Sequence, residues 1–348
     1  MPKIIQLDKH VSELIAAGEV IERPASIVKE LLENSIDAGA TSVTVEIQRG
    51  GVQYIRITDN GCGIAPEDVP VAFRRHATSK VRNEEDLGKI ATLGFRGEAM
   101  ASICAVSRVE LMTKTPENQM GVRYVIQGGE EQESIQVGCP DGTTVIVRDL
   151  FYNVPARLKF LKKDVSEANA VQSVVDKIAL SHPEVSIKLI RENKTQLHTP
   201  GNNDLYSVIY AVFGRDFAKT MMTVDSSYNG TQVKGFISIP MESRSNRSMQ
   251  HFFVNGRYVK SKTCMAALEE AYKNSIMVGK FPACVLNLSL PYDQVDVNVH
   301  PSKIEVRFTN ERIVFDGVYF AVKNAIRQQS QLDNAQEVPI KPHVMRSF

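Results

Sequence analysis

One stretch of the sequence, Glu30–Ala38, constrains the fold most, because it predicts a helix with two different faces. At about 100° per residue, Glu30, Asn34 and Asp37 fall on one narrow stripe of that helix. The residues on another side, which can face a core, are Val28, Leu31, Leu32 and Ser35. The polar stripe can be a solvated face. It also suits nucleotide hydrolysis, because a carboxylate that takes a proton from water lies one turn from an amide oxygen that can ligate a hard cation.

Length and composition set the broad class of the chain. At 348 residues the chain is longer than most domains with a single hydrophobic core, which predicts two domains. The formal net charge at pH 7 is +1, so binding to a polyanion must come from local basic patches. The five cysteines contain no CxxC pair, which indicates reduced thiols and argues against a zinc site. No signal peptide or apolar run of about 18 residues is present, so we expect a soluble cytoplasmic protein without membrane partners.

The order of predicted elements indicates an α+β fold with mixed, largely antiparallel strands and helices on one face. After the first polar helix, residues 41–49 and 53–58 alternate in polarity around a Gly-Gly pair, which predicts a β-hairpin. Residues 66–102 lack a sustained period and are expected to form a functional or mobile loop. Further helices are predicted at 165–180, 205–213, 263–275 and 311–329.

A cluster of turn-forming residues at Thr199–Asp204 is the best candidate linker between domains. We therefore predict a first domain at 1–200, a second domain at 204–331 and a flexible tail at 332–348.

Three glycine-containing motifs follow the polar helix. In Asp59–Gly63 the two glycines let backbone approach a flat ligand, and the Asp59 carboxylate can accept a hydrogen bond from an exocyclic amine such as adenine N6. In Leu93–Ala99 the glycine amides and an arginine can cradle phosphates. The third motif is Asp141–Val145. Each motif alone is also compatible with an ordinary turn or loop.

Several common nucleotide and hydrolase motifs are missing from the sequence. It contains no GxxxxGK[ST], which excludes a P-loop site, and Gly61-Cys62-Gly63 lacks the third glycine of a dinucleotide fingerprint. HExxH and GxSxG are also missing, which argues against the commonest zinc-protease and serine-hydrolase sites.

Taken in order, the ExxxN helix, DxGxG, the glycine-bearing loop and the Gly-Thr turn resemble the signature of GHKL ATPases. Longer blocks closely resemble the MutL family of DNA mismatch repair proteins, in its bacterial-type N-terminal region. These blocks are Ile15–Ser26, Arg75–Lys80, Gly94–Ala99, Leu150–Arg157 and Val295–Phe308. The resemblance covers about residues 1–331. It implies a Bergerat-type α/β sandwich followed by a smaller βα domain similar to the ribosomal and gyrase second domains.

The resemblance implies roles for individual residues in binding and hydrolysing Mg-ATP. Glu30 matches the general base, Asn34 the Mg²⁺ ligand and Asp59 the adenine-reading carboxylate. Lys303 matches a lysine that reaches the γ-phosphate from the second domain, and an ATP lid is implied at about 70–102. The implied ATP-contacting residues are Asn34, Asp37, Ala38, Asp59, Gly63, Thr78, Ser79, Lys80, Leu93, Gly94, Phe95, Arg96, Gly97, Thr143 and Lys303.

Two basic stretches are candidates for binding the DNA backbone without reading sequence. Between Ser243 and Lys262 there is no acidic residue, and the cations are Arg244, Arg247, Arg257, Lys260 and Lys262. The second stretch contains Arg157, Lys159, Lys162 and Lys163. Either can be a solvated basic face, and the resemblance favours Arg257 as the stronger DNA contact.

The resemblance also implies partners. ATP is expected to order the lid and an N-terminal arm, about residues 1–18, and so to drive homodimerisation. Slow hydrolysis would then couple a mismatch sensor of the MutS type to a downstream nuclease and helicase on single- or double-stranded DNA, in the nucleoid-associated cytoplasm. We expect no endonuclease activity from this chain. The alternatives are a gyrase-like or chaperone ATPase, and a non-hydrolysing DNA-binding scaffold.

Overall fold

The structure is a computed structural model that describes residues 8–80, 93–94, 97–296 and 306–336. The chain divides into two compact units, Met1–Ala218 and Lys219–Phe348. This division falls later than the linker predicted at 199–204, because the helices that follow the linker pack with the first unit.

Both units contain helices and strands. The helices are α1 (Lys9–Val20), α2 (Pro24–Asp37), α3 (Val69–Ala72), α4 (Ala99–Ala105), α5 (Pro155–Leu158), α6 (Asp164–Ser181), α7 (Leu205–Phe213), α8 (Arg215–Ala218), α9 (Lys262–Ala271) and α10 (Glu311–Gln336). The strands of the first unit are β1 (Ser42–Gln48), β2 (Tyr54–Asp59), β3 (Arg108–Lys114), β4 (Gly121–Gln127), β5 (Glu130–Val137), β6 (Gly142–Arg148), β7 (Ser186–Arg191) and β8 (Lys194–His198). Those of the second unit are β9 (Met221–Tyr228), β10 (Thr231–Ser238), β11 (Gln250–Val254), β12 (Arg257–Val259), β13 (Cys284–Ser289), β14 (Val295–Asp296) and β15 (Arg307–Phe308).

The first unit is built on an eight-stranded sheet in the order β5-β4-β3-β6-β2-β1-β7-β8. Only the β1–β7 pair is parallel among these described strands, so the prediction of a mixed, largely antiparallel sheet is confirmed. The predicted hairpin forms from β1 and β2. On the other side of β2, Asp59 pairs in register with Thr143 of β6, which joins two of the predicted motifs at one sheet end.

Helix α2 begins with Pro24 in its first turn, where the missing backbone N–H is not needed. Its apolar side is buried at Val28, Leu31 and Leu32, as the period of the sequence predicts. The helix packs against α6 and the β1–β2 part of the sheet. This packing holds the stripe of Glu30, Asn34 and Asp37 in a fixed orientation along one edge of the core.

The second unit has a five-stranded sheet in the order β12-β11-β13-β10-β9, with β11 and β13 parallel, and a separate β14–β15 pair. Helices α9 and α10 contribute to one apolar core with this sheet, which includes the buried side chains of Phe252, Leu268 and Val318. No helix among the described residues of either unit is long and apolar enough to cross a membrane.

Candidate nucleotide site

Glu30 and Asn34 lie on the exposed side of α2, each partly accessible to solvent. The Lys29 ammonium lies 3.3 Å from Glu30 Oε1 and 2.9 Å from Glu33 Oε1. Burial alone would lower the pKa of Lys29, but the neighbouring carboxylates of Glu33 and Glu30 outweigh it and raise the pKa above its usual value. Glu30 therefore has a charged neighbour on its own helix, and its side chain remains 23% exposed, so water can reach it.

Asp59 is held by three hydrogen bonds. Its Oδ1 accepts hydrogen bonds from the backbone N–H of Gly61 at 2.9 Å and of Thr143 at 3.2 Å. Its Oδ2 accepts one from the Ser35 hydroxyl of α2 at 2.7 Å. The carboxylate thus ties together β2, β6 and α2, and its position is set by three different elements.

The glycines beside Asp59 are required by close backbone packing. Gly63 has a φ of +70°, and a Cβ there would overlap the carbonyl oxygen of Lys114. A Cβ on Gly61 would lie 2.9 Å from both the Cβ and the carbonyl oxygen of Ala38. The Ala38 carbonyl also accepts a hydrogen bond from Cys62 N at 3.0 Å. The glycines therefore allow the end of β2 to pack closely on the ends of α2 and β3, and their predicted close approach to a flat ligand stays a prediction.

Sequence reasoning missed a threonine that supports this end of the site. The Thr113 hydroxyl accepts a hydrogen bond from Ile64 N at 2.9 Å and lies 3.0 Å from both Gly142 O and the Thr143 hydroxyl. Thr113 is 1% exposed. It lies on the buried face of β3, where the alternation of the strand would predict an apolar residue. A polar residue at a core position of a strand is the signal that identifies it.

Ser35 was placed correctly on the core side of α2, but its bond to Asp59 gives it a second role at the site. A serine among the apolar residues of a helix face was the available signal, because a buried hydroxyl needs a partner.

At the other end of the polar stripe, the Lys80 ammonium lies 2.9 Å from Asn34 Oδ1 and 2.6 Å from Asp37 Oδ2. The backbone N–H of Leu93 donates to Asp37 Oδ1 at 2.9 Å, and that of Gly94 donates to Asp37 Oδ2 at 3.0 Å. The structure thus brings Asn34, Asp37 and Lys80 together with two of the predicted loop residues.

The amide oxygen of Asn34 and a carboxylate oxygen of Asp37 both contact the positively charged Lys80 ammonium. The same oxygens are therefore suited to a divalent cation. Hard oxygen ligands of this kind are the ones that Mg²⁺ prefers. Asn34 and Asp37 are the residues that would hold the ion.

The remaining predicted contacts are less closely grouped. Thr78 and Ser79 are exposed, and the Thr78 hydroxyl accepts a hydrogen bond from Lys80 N at 3.1 Å. Gly97 has a φ of +61° and packs closely on the backbone of Ala77. Phe95, Arg96 and Lys303 lie outside the described residues.

The two basic stretches differ in the burial and the contacts of their cationic side chains. In the stretch that precedes α9, Arg257 is 8% exposed, and Arg247 forms a two-pronged pair with Glu269, at 2.6 and 3.0 Å, while stacking over Phe281. Lys260 is exposed, and the backbone of Arg244 pairs with that of Phe281. In the other stretch, Lys159 is exposed.

Arg157, which begins that second stretch, turns inward. Its Nη1 donates to the Ile21 carbonyl at 3.3 Å, and its guanidinium lies over the ring of Phe151.

Two sequence families match the chain. Residues 22–139 match the histidine kinase-, DNA gyrase B- and HSP90-like ATPases, and residues 209–327 match the C-terminal domain of DNA mismatch repair proteins. The chain is 51% identical over 315 residues to the DNA mismatch repair protein MutL of Agathobacter rectalis, covering 90% of this chain and 48% of the relative. It is 47% identical over 330 residues to MutL of Caldanaerobacter subterraneus subsp. tengcongensis, covering 95% of this chain and 56% of that protein. The chain therefore spans about half the length of these curated relatives.

Solved structures show the same similarity. The Aquifex aeolicus MutL ATPase domain complexed with ADP is 32% identical, with a TM-score of 0.60, and the match covers 78% of this chain and 93% of that one. The N-terminal domain of a DNA repair protein is 29% identical, with a TM-score of 0.78, covering 92% and 98%. The fold predicted from the resemblance, a GHKL ATPase domain followed by a second mismatch-repair domain, is confirmed. The chain belongs to the MutL family of DNA mismatch repair proteins.

Proposed function

We propose that this chain binds and hydrolyses ATP as the nucleotide-dependent switch of a DNA mismatch repair protein. The observation that carries the proposal is the arrangement of α2: one helix brings Asn34 and Asp37 to a cation and two loop amides, and its Ser35 holds Asp59. A nucleotide needs these two kinds of contact at once, one for a base and one for charged phosphates.

At the base end, Asp59 reads the adenine amino group. Its Oδ1 is engaged by two backbone amides, which leaves the second lone-pair direction of Oδ2 as the acceptor for a ligand. Thr143 and Gly63 lie beside Asp59 at this end of the site. The Thr143 hydroxyl is held by the Thr113 hydroxyl, and Gly63 is held by close packing on the Lys114 backbone.

At the phosphate end, Glu30 is the general base. It orients the attacking water and accepts its proton, because it is a solvent-accessible carboxylate one turn before Asn34 on the same helix. Magnesium, when bound at Asn34 and Asp37, would screen the phosphate charge. The loop residues Thr78 to Lys80 and Leu93 to Gly97 cover the phosphates, and Lys303 supplies a further positive charge from the second unit.

The same proposal includes the dimerisation of the chain and its partners in DNA repair. Nucleotide-driven ordering of the loop brings two copies together through the arm at residues 1–18, most of which is already helical in α1, and slow hydrolysis resets them. The dimer links a MutS-type mismatch sensor to a nuclease and a helicase on DNA in the nucleoid-associated cytoplasm. The similarity to MutL proteins, and to a MutL ATPase domain that was solved in complex with ADP, supports this assignment.

The test is phosphate release from Mg-ATP by the wild type, Glu30→Ala and a matched control, Glu22→Ala, whose side chain is exposed just before α2. ATP binding is measured in parallel. We expect Glu30→Ala to bind ATP and to lose at least about 100-fold in hydrolysis, the lower range for loss of a general base. The control should hydrolyse ATP at the wild-type rate.

Two results would contradict the proposal. If the wild type binds ATP without turnover, the chain is a non-hydrolysing scaffold. If it binds no adenine nucleotide, the proposed site is wrong. Supercoiling activity in the wild type would instead favour a gyrase-like ATPase.

A further inference from the structure

Two threonine hydroxyls meet at the base end of the proposed site. Thr113 of β3 and Thr143 of β6 are paired in the register of the two strands, and their hydroxyl oxygens lie 3.0 Å apart. Thr113 is buried, whereas Thr143 is half-buried and its backbone N–H donates to the Asp59 carboxylate at 3.2 Å. The Thr143 hydroxyl is therefore the member of the pair that lies beside the predicted adenine contact.

The other contacts of Thr113 decide which hydroxyl donates in this pair. Its oxygen lies 3.0 Å from the Gly142 carbonyl oxygen, which can only accept, and 2.9 Å from the Ile64 nitrogen, whose N–H can only donate. A threonine hydroxyl has one proton and two lone pairs. If Thr113 gave its proton to Thr143, the oxygens of Thr113 and Gly142 would face each other with no proton between them.

Only one direction of the hydrogen bonds gives every group in this network a partner. Thr113 donates to the Gly142 carbonyl, and it accepts from the Ile64 N–H and from the Thr143 hydroxyl. The opposite direction is disfavoured because it brings together two buried acceptors that have lost their contact with water. The proton of Thr143 is thereby committed to Thr113, so the Thr143 oxygen can only accept a further hydrogen bond.

We propose that Thr113 is a positioning residue for purine specificity, because it holds the Thr143 hydroxyl as an acceptor beside Asp59. This inference rests on the adenine site of the proposed function and names a buried residue that keeps that site selective. A carboxylate and a hydroxyl whose proton is already used present only lone pairs to a ligand. The 6-amino group of adenine can donate to them, whereas the 6-oxo group of hypoxanthine or guanine would place further lone pairs against them.

The test compares ADP with inosine diphosphate, in which a 6-oxo group replaces the 6-amino group. Dissociation constants of both nucleotides are measured with Mg²⁺ for the wild type and for Thr113→Val, which keeps the branched shape and removes the hydroxyl. In this variant the Thr143 hydroxyl loses its acceptor and can rotate to donate to the 6-oxo group. We expect the ratio of the inosine to the adenine dissociation constant to fall at least about fivefold, the factor that one neutral hydrogen bond supplies. Thr113→Ser, which keeps the hydroxyl, should keep the wild-type ratio.

Thr199→Val is the matched control for the loss of a buried threonine hydroxyl. Thr199 is fully buried after β8, which is separated from β6 by three strands of the same sheet. Its hydroxyl accepts from Ile187 N at 2.9 Å and donates to the Val185 carbonyl at 3.3 Å, as the Thr113 hydroxyl accepts from one backbone N–H and donates to one carbonyl. The control should lose a similar amount of stability in chemical denaturation and keep the wild-type ratio of dissociation constants.

Thr143→Val tests the same inference while leaving the buried position unchanged. This variant removes the accepting hydroxyl itself, so ADP loses a partner, the 6-oxo group loses a repelling neighbour, and the ratio should fall. In the double variant with Thr113→Val, the ratio should equal that of Thr143→Val alone, because Thr113 acts on the base only through that hydroxyl.

The outcomes separate this inference from the proposed function. If Thr113→Val weakens ADP and inosine diphosphate by the same factor, or if the wild type binds both equally well, the inference fails and the nucleotide site stands. An unchanged ratio in Thr143→Val overturns the inference even if Thr113→Val does not fold. A further fall in the double variant would show that Thr113 acts through another group. If the wild type binds neither nucleotide, the proposed function itself fails.

Discussion

The two ends of the candidate nucleotide site are built in different ways. We call Asp59, Gly63 and Thr143 the sheet end, and Asn34, Asp37, Lys80 and Gly94 the helix end. At the sheet end, two of the partners of Asp59 are backbone amides fixed by the pairing of β2 with β6 and by the turn after β2. At the helix end, Asp37 is held by a lysine side chain and by two amides that lie outside every sheet.

This difference assigns different tasks to the two ends. Groups fixed by sheet register cannot move without breaking the fold, so the sheet end is suited to recognising one constant feature of a ligand. A flexible lysine and loop amides can leave Asp37 at little cost to the core, so the helix end is suited to respond when a ligand arrives. If rigidity and response are separated in this way, substitutions at the two ends should differ in their effects on stability and on ligand binding.

The largest expected effect comes from a matched pair of glycine substitutions. Gly63→Ala places a Cβ against the Lys114 carbonyl at a φ of +70°, and we expect a loss of about 2–5 kcal/mol in the free energy of unfolding from backbone strain and overlap. Gly94→Ala places its Cβ 3.1 Å from the tip of the Lys80 side chain, which can move, so the loss should stay below about 1 kcal/mol. Chemical denaturation without nucleotide measures both, and equal losses would contradict the comparison.

A second pair compares the two carboxylates. Asp59→Ala removes the acceptor of Gly61 N and Thr143 N, and we expect a stability loss of about 2–4 kcal/mol together with loss of ATP binding. Asp37→Ala should cost less than about 1 kcal/mol in stability.

The distinguishing measurement for this pair is amide hydrogen exchange. In Asp37→Ala the amides of Leu93 and Gly94 lose their acceptor and should exchange faster, while the strand amides of β2 keep their protection. Unchanged exchange at Leu93 and Gly94 would show that Asp37 does not hold this segment.

The sheet end was more predictable from sequence than the helix end. Asp59, its glycines and the Gly-Thr turn were identified because local turn chemistry and strand alternation fix them within a few residues. The contacts are long-range at both ends, because Thr143 N lies 84 positions from Asp59 and Lys80 lies 46 and 43 positions from Asn34 and Asp37, and no local period encodes such contacts. The resemblance placed Lys80 at the phosphates but did not predict its partners.

The sequence predicts no strand at 130–137 or 194–198, where β5 and β8 lie, for a related reason. β5, whose sequence is EEQESIQV, lies at the sheet edge and is exposed at most positions. Its sequence therefore lacks the alternation of apolar and polar residues that predicts a strand. The short β8 is likewise polar, and its buried residue is Leu197. Edge strands form because a neighbour offers free backbone groups, and that information is not local to their own sequence.

A third prediction concerns the cation at the helix end. The Lys80 ammonium contacts the oxygens of Asn34 and Asp37 that are proposed to hold Mg²⁺, so we expect the lysine to compete with the ion for them. Lys80→Gln should therefore lower the Mg²⁺ concentration that gives half-maximal nucleotide binding, by about three- to tenfold, as expected for removing one nearby positive charge that is only partly screened. A titration of Mg²⁺ at fixed nucleotide measures the shift. No shift, or a higher Mg²⁺ requirement, would show that Lys80 does not compete for these oxygens.

The smallest expected effect comes from Lys29, a second lysine beside the polar stripe of α2, and it provides a comparison for Lys80. Lys29 pairs with Glu33 four residues along its own helix and with Glu30, so no ligand has to displace it. Lys29→Met should cost about 0.5–1 kcal/mol in stability and leave the Mg²⁺ requirement unchanged, in contrast to Lys80→Gln.

The pH dependence of this last loss follows from the direction of the pKa shift. The pKa of Lys29 is raised above 10.5 in the folded state, so its ion pairs contribute fully below 10.5 and are lost as the pH rises through the folded pKa. The difference in unfolding free energy between wild type and Lys29→Met should therefore be constant from about pH 6 to pH 9 and should shrink only in stronger alkali. A difference that disappears already near neutral pH would mean that Lys29 does not pair with these carboxylates, and that the cation on the helix itself is as exchangeable as Lys80.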